Sequence, residues 1–273
     1  MISLIYLSLF LLGLCWGSFT NVLIDRGQKK KSLWGRSKCD YCNYKLKWFD
    51  NIPVFSFIFL QGICRKCKKK LSWQYPMVEF STGLVFVLTF WMLNSGGLIE
   101  IGIFDLRFFL SLFYYLIVIY FLWAILIWDF KYMIIPDFLV VIGISVTVLY
   151  KIYETLIEKS FLISFDSAIL SALLGGILLS GFFGVMFWFS KGKWIGGGDV
   201  KLGFWLGLLV GLKMVYFLIL LAYTSGAIVA IFLLIFSKKK MKSEIPFGPF
   251  LIISSVVIIF YQDYIVRLWN YLM

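Results

Sequence analysis

Gly196-Gly197-Gly198-Asp199-Val200-Lys201-Leu202 opens an apolar segment that runs on to Leu212. It sets an aspartate at the mouth of a hydrophobic run. A second aspartate closes another run at Leu126-Ile127-Trp128-Asp129. A carboxylate at a membrane segment is energetically expensive and carries a functional reading by default. Two carboxylates held roughly 3 Å apart cannot both ionise. One keeps a proton while the other can deprotonate a water, which then attacks a peptide carbonyl. The pattern predicts that Asp129 and Asp199 meet and share one proton. The competing explanation is that each aspartate only caps a helix. The three glycines are expected to allow close backbone approach and positive φ at this turn.

Composition sets the class. Of the 273 residues, 62% are hydrophobic and 20% aromatic, and the mean hydropathy is +0.93. Soluble domains sit near half apolar, so the chain reads as a membrane protein embedded in a lipid bilayer. The net charge of +12 fits loop charge in a polytopic protein, and no nucleic-acid partner is expected. There is no histidine. That excludes Ser-His and Cys-His catalysis, histidine general bases and His-ligated zinc or haem. The N-terminal apolar stretch lacks leading basic residues and a small-residue cleavage site, and reads as a retained span.

A span needs roughly 20 apolar residues. Eight candidates occur, at about 2–24, 77–93, 107–128, 137–152, 166–189, 200–212, 215–236 and 247–264. The sixth is short and glycine-rich, with a re-entrant pair with the seventh as the alternative to a full span. With the N-terminus outside, all but five of the 26 Lys and Arg fall in cytoplasmic loops. This orientation sets Asp129 and Asp199 on the cytoplasmic face. The segment Lys151 to Asp166 is expected to be an outside loop with an interfacial helical turn. No internal repeat is evident.

The fold class is therefore an all-α polytopic membrane protein of about eight transmembrane helices, with a small cytoplasmic insertion after the first. Residues 1–24 form the first helix, 25–76 the insertion and 77–273 the core. The insertion carries Cys39-x-x-Cys42 and Cys64-x-x-Cys67, with 21 residues between the pairs. Paired CxxC units predict a tetrahedral four-cysteine zinc site. Lys38, Arg65, Lys66 and Lys68 would favour the thiolates. Disulfides are not expected on the reducing side. So small an insertion would draw much of its folding energy from the metal.

Other polar residues have two readings each. Asp137 follows Pro136 at a helix start, where a carboxylate is favourable on dipole grounds, and its assigned role is structural. Spacing alone does not decide whether Asp129 or Asp137 partners Asp199. Glu79 lies in the first turn of the second span and Arg26 at the end of the first, where snorkelling would explain it. Pro246-Phe247-Gly248-Pro249 makes a rigid entry to the last span on the same face as the aspartates.

Taken together these pieces resemble the type IV prepilin peptidases, which are GxGD-type intramembrane aspartic proteases. The resembling blocks are Gly13 to Val22 including Asn21, Cys39 to Cys67 with Asp50-Asn51-Ile52-Pro53-Val54-Phe55-Ser56 between the pairs, and Tyr75-Pro76-Met77-Val78-Glu79. They continue with Asp129 through Pro136-Asp137, Gly196-x-Gly198-Asp199-x-Lys201-Leu202 and Pro246-Phe247-Gly248-Pro249. The resemblance implies a multi-pass protein of the bacterial cytoplasmic membrane that removes the short basic leader from prepilins or pseudopilins, cutting after glycine. It implies Asp129 and Asp199 as the catalytic pair, supported by Gly196, Gly197, Gly198, Lys201, Pro136, Asp137, Pro246, Phe247, Gly248 and Pro249. It adds Asn21, Arg26 and Glu79 as further residues with a functional reading. It also implies N-methylation of the new N-terminus from S-adenosylmethionine; the sequence itself shows no methyl-donor motif. Phe130-Lys131 stands where many relatives carry a basic residue or histidine. Two rival classes are a proton-coupled transporter, which would need carboxylates across the bilayer, and a membrane-anchored zinc module binding a cytoplasmic partner.

Overall fold

A computed structural model of the chain describes residues 2–28, 32–96, 105–157, 168–236 and 246–272. The lysine runs at 29–31 and 238–242 and most of the expected outside loop before Asp166 lie outside these residues. The described residues contain helices and two isolated bridges, with no strand. The helices are α1 (Ile2–Gln28), α2 (Phe55–Phe59), α3 (Gln74–Ser95), α4 (Leu106–Tyr132) and α5 (Asp137–Ile157), then α6 (Ala168–Ser190), α7 (Gly197–Val210), α8 (Val215–Phe236) and α9 (Gly248–Leu272). Apart from α2, they coincide with the eight apolar segments of the sequence. Six are long and apolar enough to cross a membrane, which makes this a multi-pass membrane protein. The exceptions are α9, whose apolar stretch is Gly248–Gln262, and the helix α7. Its 14 residues rise only about 21 Å, short of a hydrocarbon core of about 30 Å.

The chain forms two compact units, residues 1–94 and 95–273. In the first, α1 and α3 touch along a line of small residues. A Cβ on Gly13 would lie 2.7 Å from the Gly83 Cα, and one on Gly17 would lie 2.6 Å from the Glu79 Cα. The four-residue spacing puts Gly13 and Gly17 on one face of α1, and close backbone contact of this kind replaces the hydrophobic effect inside a bilayer. Arg26 does not snorkel. Its guanidinium donates to the carbonyls of Leu33 at 2.9 Å, Gly35 at 3.1 Å and Ser32 at 3.4 Å.

The second unit is built around α7. This helix packs chiefly along α6, with α5 and α9 on its other sides; α8 packs mainly on α9, so the sixth segment pairs with the fifth rather than with the seventh. The α6–α7 contact is backbone on backbone: a Cβ on Gly207 would overlap the Gly175 carbonyl. On the α5 side, Trp205 is fully buried. Its ring lies over Gly143 and its Nε1 donates to Thr147 Oγ1 at 2.9 Å. That bond satisfies a donor that would otherwise be stranded in an apolar interior. The helix α5 extends to Ile157, so Lys151 lies in helix and not in a loop.

These contacts predict an asymmetry among the α6 and α7 glycines. Gly207→Ala should lower the unfolding midpoint in detergent by an amount equivalent to about 1–3 kcal/mol, because the methyl has no room. A Cβ on Gly181 meets nothing within 4 Å, so Gly181→Ala should leave the midpoint unchanged or slightly raised. Equal effects at both positions would contradict this packing.

Candidate active site and metal centre

Asp129 sits in the last turn of α4, which ends where Met133 takes a left-handed conformation and donates its N–H to the Asp129 carbonyl at 2.8 Å. The side chain is 5% exposed and accepts a hydrogen bond from the Gly248 N–H. Gly248 is the first residue of α9, behind the Pro246-Phe247 turn. A Cβ at Gly248 would overlap the Asp129 carboxylate, so only glycine lets that backbone donor reach it. Pro249 occupies the first turn of α9, where its missing N–H is harmless.

Asp199 lies in the first turn of α7, and its Oδ2 accepts the Gly196 N–H at 3.3 Å. Its carboxylate is within electrostatic reach of Asp129. Each carboxylate thus rests on a helix N-terminus, where the dipole and free N–H groups favour negative charge. Like-charge repulsion between the two opposes double ionisation. The expected positive φ is absent from the glycines of this turn. Gly196 has φ −74°, and left-handed backbone occurs just upstream at Lys191 and Gly192. Steric demand falls on Gly198, whose Cβ would lie 3.1 Å from Ile135 Cβ. Ile135, just before buried Pro136, also faces Gly248.

Asp137 is the first residue of α5, and both its carboxylate oxygens accept from Lys201 Nζ, at 2.7 and 2.8 Å. This ion pair is exposed and ties α5 to α7. Sequence spacing left Asp137 open as the partner of Asp199; in the structure it is occupied by Lys201. Phe247 packs on Phe183, with ring centroids 6.1 Å apart, and on Tyr223 at 5.1 Å. Tyr223, on α8, is electrostatically coupled to Asp199, and its hydroxyl donates to Met186 Sδ at 3.4 Å. Sequence reasoning missed it. The signal was the polar run Tyr223-Thr224-Ser225 in the middle of a mostly apolar span.

In the first unit the four cysteine sulfurs all lie within 4.8 Å of one another. Cys39–Cys67 and Cys42–Cys64 are each 3.9 Å apart. A tetrahedral metal with sulfur at about 2.3 Å requires edges of about 3.8 Å; two edges match this and the others lie within 4.8 Å, so the donor set closes on a metal ion with shifts of no more than about 1 Å. The two halves are copies. Residues 37–46 and 62–71 are offset by 25 positions and repeat the same bonds: Cys39 N to Tyr44 O and Cys64 N to Lys69 O, Asn43 N to Cys39 O and Lys68 N to Cys64 O, Leu46 N to Ser37 O and Leu71 N to Gly62 O. Asn43 and Lys68 hold the equivalent left-handed position. Cys-x-x-Cys-x-x-Lys-Leu occurs in both copies, so the insertion does contain an internal repeat. The Cys67 N–H, against the effect of burial, brings the Cys64 thiol down to about 7. Burial pushes the Cys39 thiol up to about 11. Arg65 is turned to Asp50 Oδ1 at 2.8 Å.

Asn21, Arg26 and Glu79 belong to the first unit and not to the Asp129–Asp199 unit. Asn21 donates to the Tyr75 carbonyl at 3.1 Å. Glu79 accepts from the Val54 N–H at 2.7 Å and from the Ser18 hydroxyl.

Fold and site define a polytopic helical membrane protein with a carboxylate pair at converging helix ends and an appended four-cysteine module. The chain belongs to the type IV leader peptidase family. The model of that family matches residues 116–231, and the bacterial peptidase A24 N-terminal domain matches residues 11–93. It is 29% identical over 272 residues to the prepilin leader peptidase/N-methyltransferase of Vibrio cholerae, covering 94% of this chain and 97% of that one. The protein of the same name from Pseudomonas aeruginosa is 27% identical over 283 residues, covering 94% and 90%. That from Myxococcus xanthus is 47% identical over 79 residues, 29% of this chain and 24% of that one. No solved structure matches the chain. The family leaves the proton-relay transporter without support.

The sulfur geometry makes metal content the direct check on this centre. Purified chain should carry one metal ion, and Cys42→Ser or Cys67→Ser should reduce it to near zero by elemental analysis. Chelation should render residues 32–72 protease-sensitive before α4–α9, because a repeat this small has little apolar core of its own. Unchanged protease resistance in metal-free protein would show that the repeat holds without an ion.

Proposed function

We propose that the chain is an aspartic endopeptidase of the bacterial cytoplasmic membrane, acting on prepilin-like and pseudopilin-like proteins. Its N-terminus is outside and its active site at the cytoplasmic face, on the side where basic loops concentrate. Asp129 and Asp199 are the catalytic pair. The observation that carries this is the convergence of two helix-end carboxylates, from α4 and α7, beside the Gly248 N–H. One carboxyl keeps a proton and hydrogen-bonds the scissile carbonyl oxygen. The other takes a proton from water as it adds to the carbonyl carbon. The proton held between them then passes to the leaving amine as the C–N bond breaks.

The supporting residues act through packing. Ile135, Gly198 and Gly248 set the carboxylate spacing, and Asp137–Lys201 fixes the start of α5 against the start of α7. The cut falls after the glycine that ends a short basic leader. The basic loops on that face do not attract such a leader; they hold the site near anionic headgroups.

The relatives' names carry a second activity, N-methylation. We read residues 25–76 as serving that step, and 77–273, after the anchor 1–24, as the peptidase core. Zinc is the ion we assign to the four cysteines, where it would clamp the two repeats together. S-adenosylmethionine would supply a methyl group to the amine freed by cleavage. The polar end of the first unit fits such a cation, because it offers carboxylates from two helices and exposed aromatic planes.

Asp129→Asn and Asp199→Asn should each lower cleavage of a prepilin-like substrate in membranes by at least about 10²–10⁴-fold at normal expression. Asp137→Asn, which removes only an exposed ion-pair partner, should retain most activity. Full cleavage by either of the first two variants would sink the paired mechanism.

A further inference from the structure

The bond from the Val54 N–H to Glu79, 2.7 Å long, fixes a level as well as a partner. Glu79 is the sixth residue of α3, so it lies about 8 Å along the helix from Gln74. On another side its backbone meets Gly17, well inside α1. The turn at Pro53-Val54 therefore does not sit above the helix ends. It reaches down the flank of α3 to within one side chain of the Glu79 level. Val54 has φ 63°, a conformation that β-branched residues avoid, so the surrounding structure enforces this turn.

The helix α2 starts from that turn, and its exposed face is apolar. Phe55, Ile58 and Phe59, spaced i, i+3 and i+4, share one face. All three are exposed, Phe59 to 84%. Phe57 points the other way. It stacks on Trp73 with ring centroids 5.1 Å apart, and its ring lies against Gly62, whose N–H donates to the Phe57 carbonyl at 2.8 Å. Gly62 begins the second cysteine repeat, so α2 is tied to that repeat with its apolar face outward.

The same face continues along α3. Trp73, Met77, Phe80, Leu84 and Leu88 are all exposed, and their spacing of three and four residues makes one stripe. Trp73 precedes the helix but keeps its register, because its carbonyl accepts the Met77 N–H. The helix is long and apolar enough to cross a membrane, so the stripe faces lipid. Trp73 is 71% exposed and joins the stripe to α2. Tryptophan at the end of a span is characteristic of the membrane–water interface. Exposed Lys66, Lys68 and Lys70 follow α2, which is the charge that suits a headgroup layer.

We propose that Phe55, Ile58, Phe59 and Trp73 form a lipid-docking surface, and that α2 lies in the interfacial layer of the leaflet beside the C-terminal end of α1. The occupant is the bilayer itself, because the patch runs on without a break from a face that the bilayer already covers. The level set by Glu79 agrees with the depth of about 5–10 Å to which interfacial helices bury an apolar face. The cysteine repeats are thereby held to the membrane at three points: the ends of α1 and α3, and the wedge α2. This inference depends on neither the cleavage reading nor the methylation reading.

The test places full-length chain in vesicles of phosphatidylethanolamine and phosphatidylglycerol that carry a photoreactive phospholipid. Its diazirine is either next to the glycerol or at the end of the acyl chain, and labelled peptides are mapped by mass spectrometry. The shallow probe should label residues 55–59 and Trp73. The deep probe should label Leu84 and Leu88 on α3 and label α2 about tenfold less than the shallow probe does. Ile58→Ser and Phe59→Ser together should cut shallow labelling of residues 55–59 about fivefold or more. Labelling of α3 in the same sample should stay unchanged and serves as the internal reference. Absence of lipid label on α2 in wild type, with α3 labelled, would overturn the proposal. So would equal labelling of α2 by the two probes, or in wild type and the double variant. A cross-linked dimer joined through α2, with no lipid label there, would overturn it in favour of self-association. Should the double variant fail to fold, the contrast between shallow and deep probes in wild type still decides.

Discussion

The second unit depends on a backbone amide reaching a buried carboxylate. The Gly248 N–H meets Asp129 in space that any side chain at 248 would occupy. Once α9 begins at that point, Phe247 is carried onto Phe183 and Tyr223. Ile135 is wedged between Gly248 and Gly198, and the start of α7 is drawn up to the end of α4. A buried carboxylate in apolar surroundings is costly unless donors surround it. Here the donor is a helix N-terminus, which cannot rotate away as a side chain would. The same tight tolerance recurs where Gly207 meets Gly175 and where Gly143 meets Trp205.

Much of this was legible in the sequence because membranes simplify the problem. Lipid-facing backbone of an apolar helical protein must bond within its own segment, so apolar run lengths alone located eight of the helices, with the end of α9 running eight residues past its expected limit. The pairing of CxxC units likewise announced the sulfur cluster. What was not legible depends on contacts between distant residues. Asp137 and Asp129 look equivalent on spacing, and the Lys201 side chain distinguishes them. The glycines before Asp199 suggested an unusual backbone, yet their φ values are ordinary and their smallness serves Ile135. Ile135 itself reads as one more aliphatic residue. The repeat in the insertion escaped notice because only two cysteines, a lysine and a leucine recur, although the hydrogen bonds repeat one for one.

The first unit solves a different problem. Its extramembrane part is too small to bury a large apolar core, so polar anchors stand in for one. Asp50 takes the Lys47 N–H and Arg65 together, Glu79 takes Val54, and Arg26 takes the carbonyls around Gly35. Each anchor joins a loop to a helix or to the cysteine repeat.

The shortness of α7 has a geometric consequence. Its far end, at Gly211, lies beside Ser171 near the beginning of α6. From that level α6 climbs a further 19 residues to Ser190, about 28 Å, whereas α7 spans about 21 Å. Residues 191–196 must therefore descend about 8 Å from the crest of α6 before Asp199 is reached. The end of α6 therefore overtops the start of α7, and the six residues that join them return the chain to the level at which the Gly196 N–H meets Asp199.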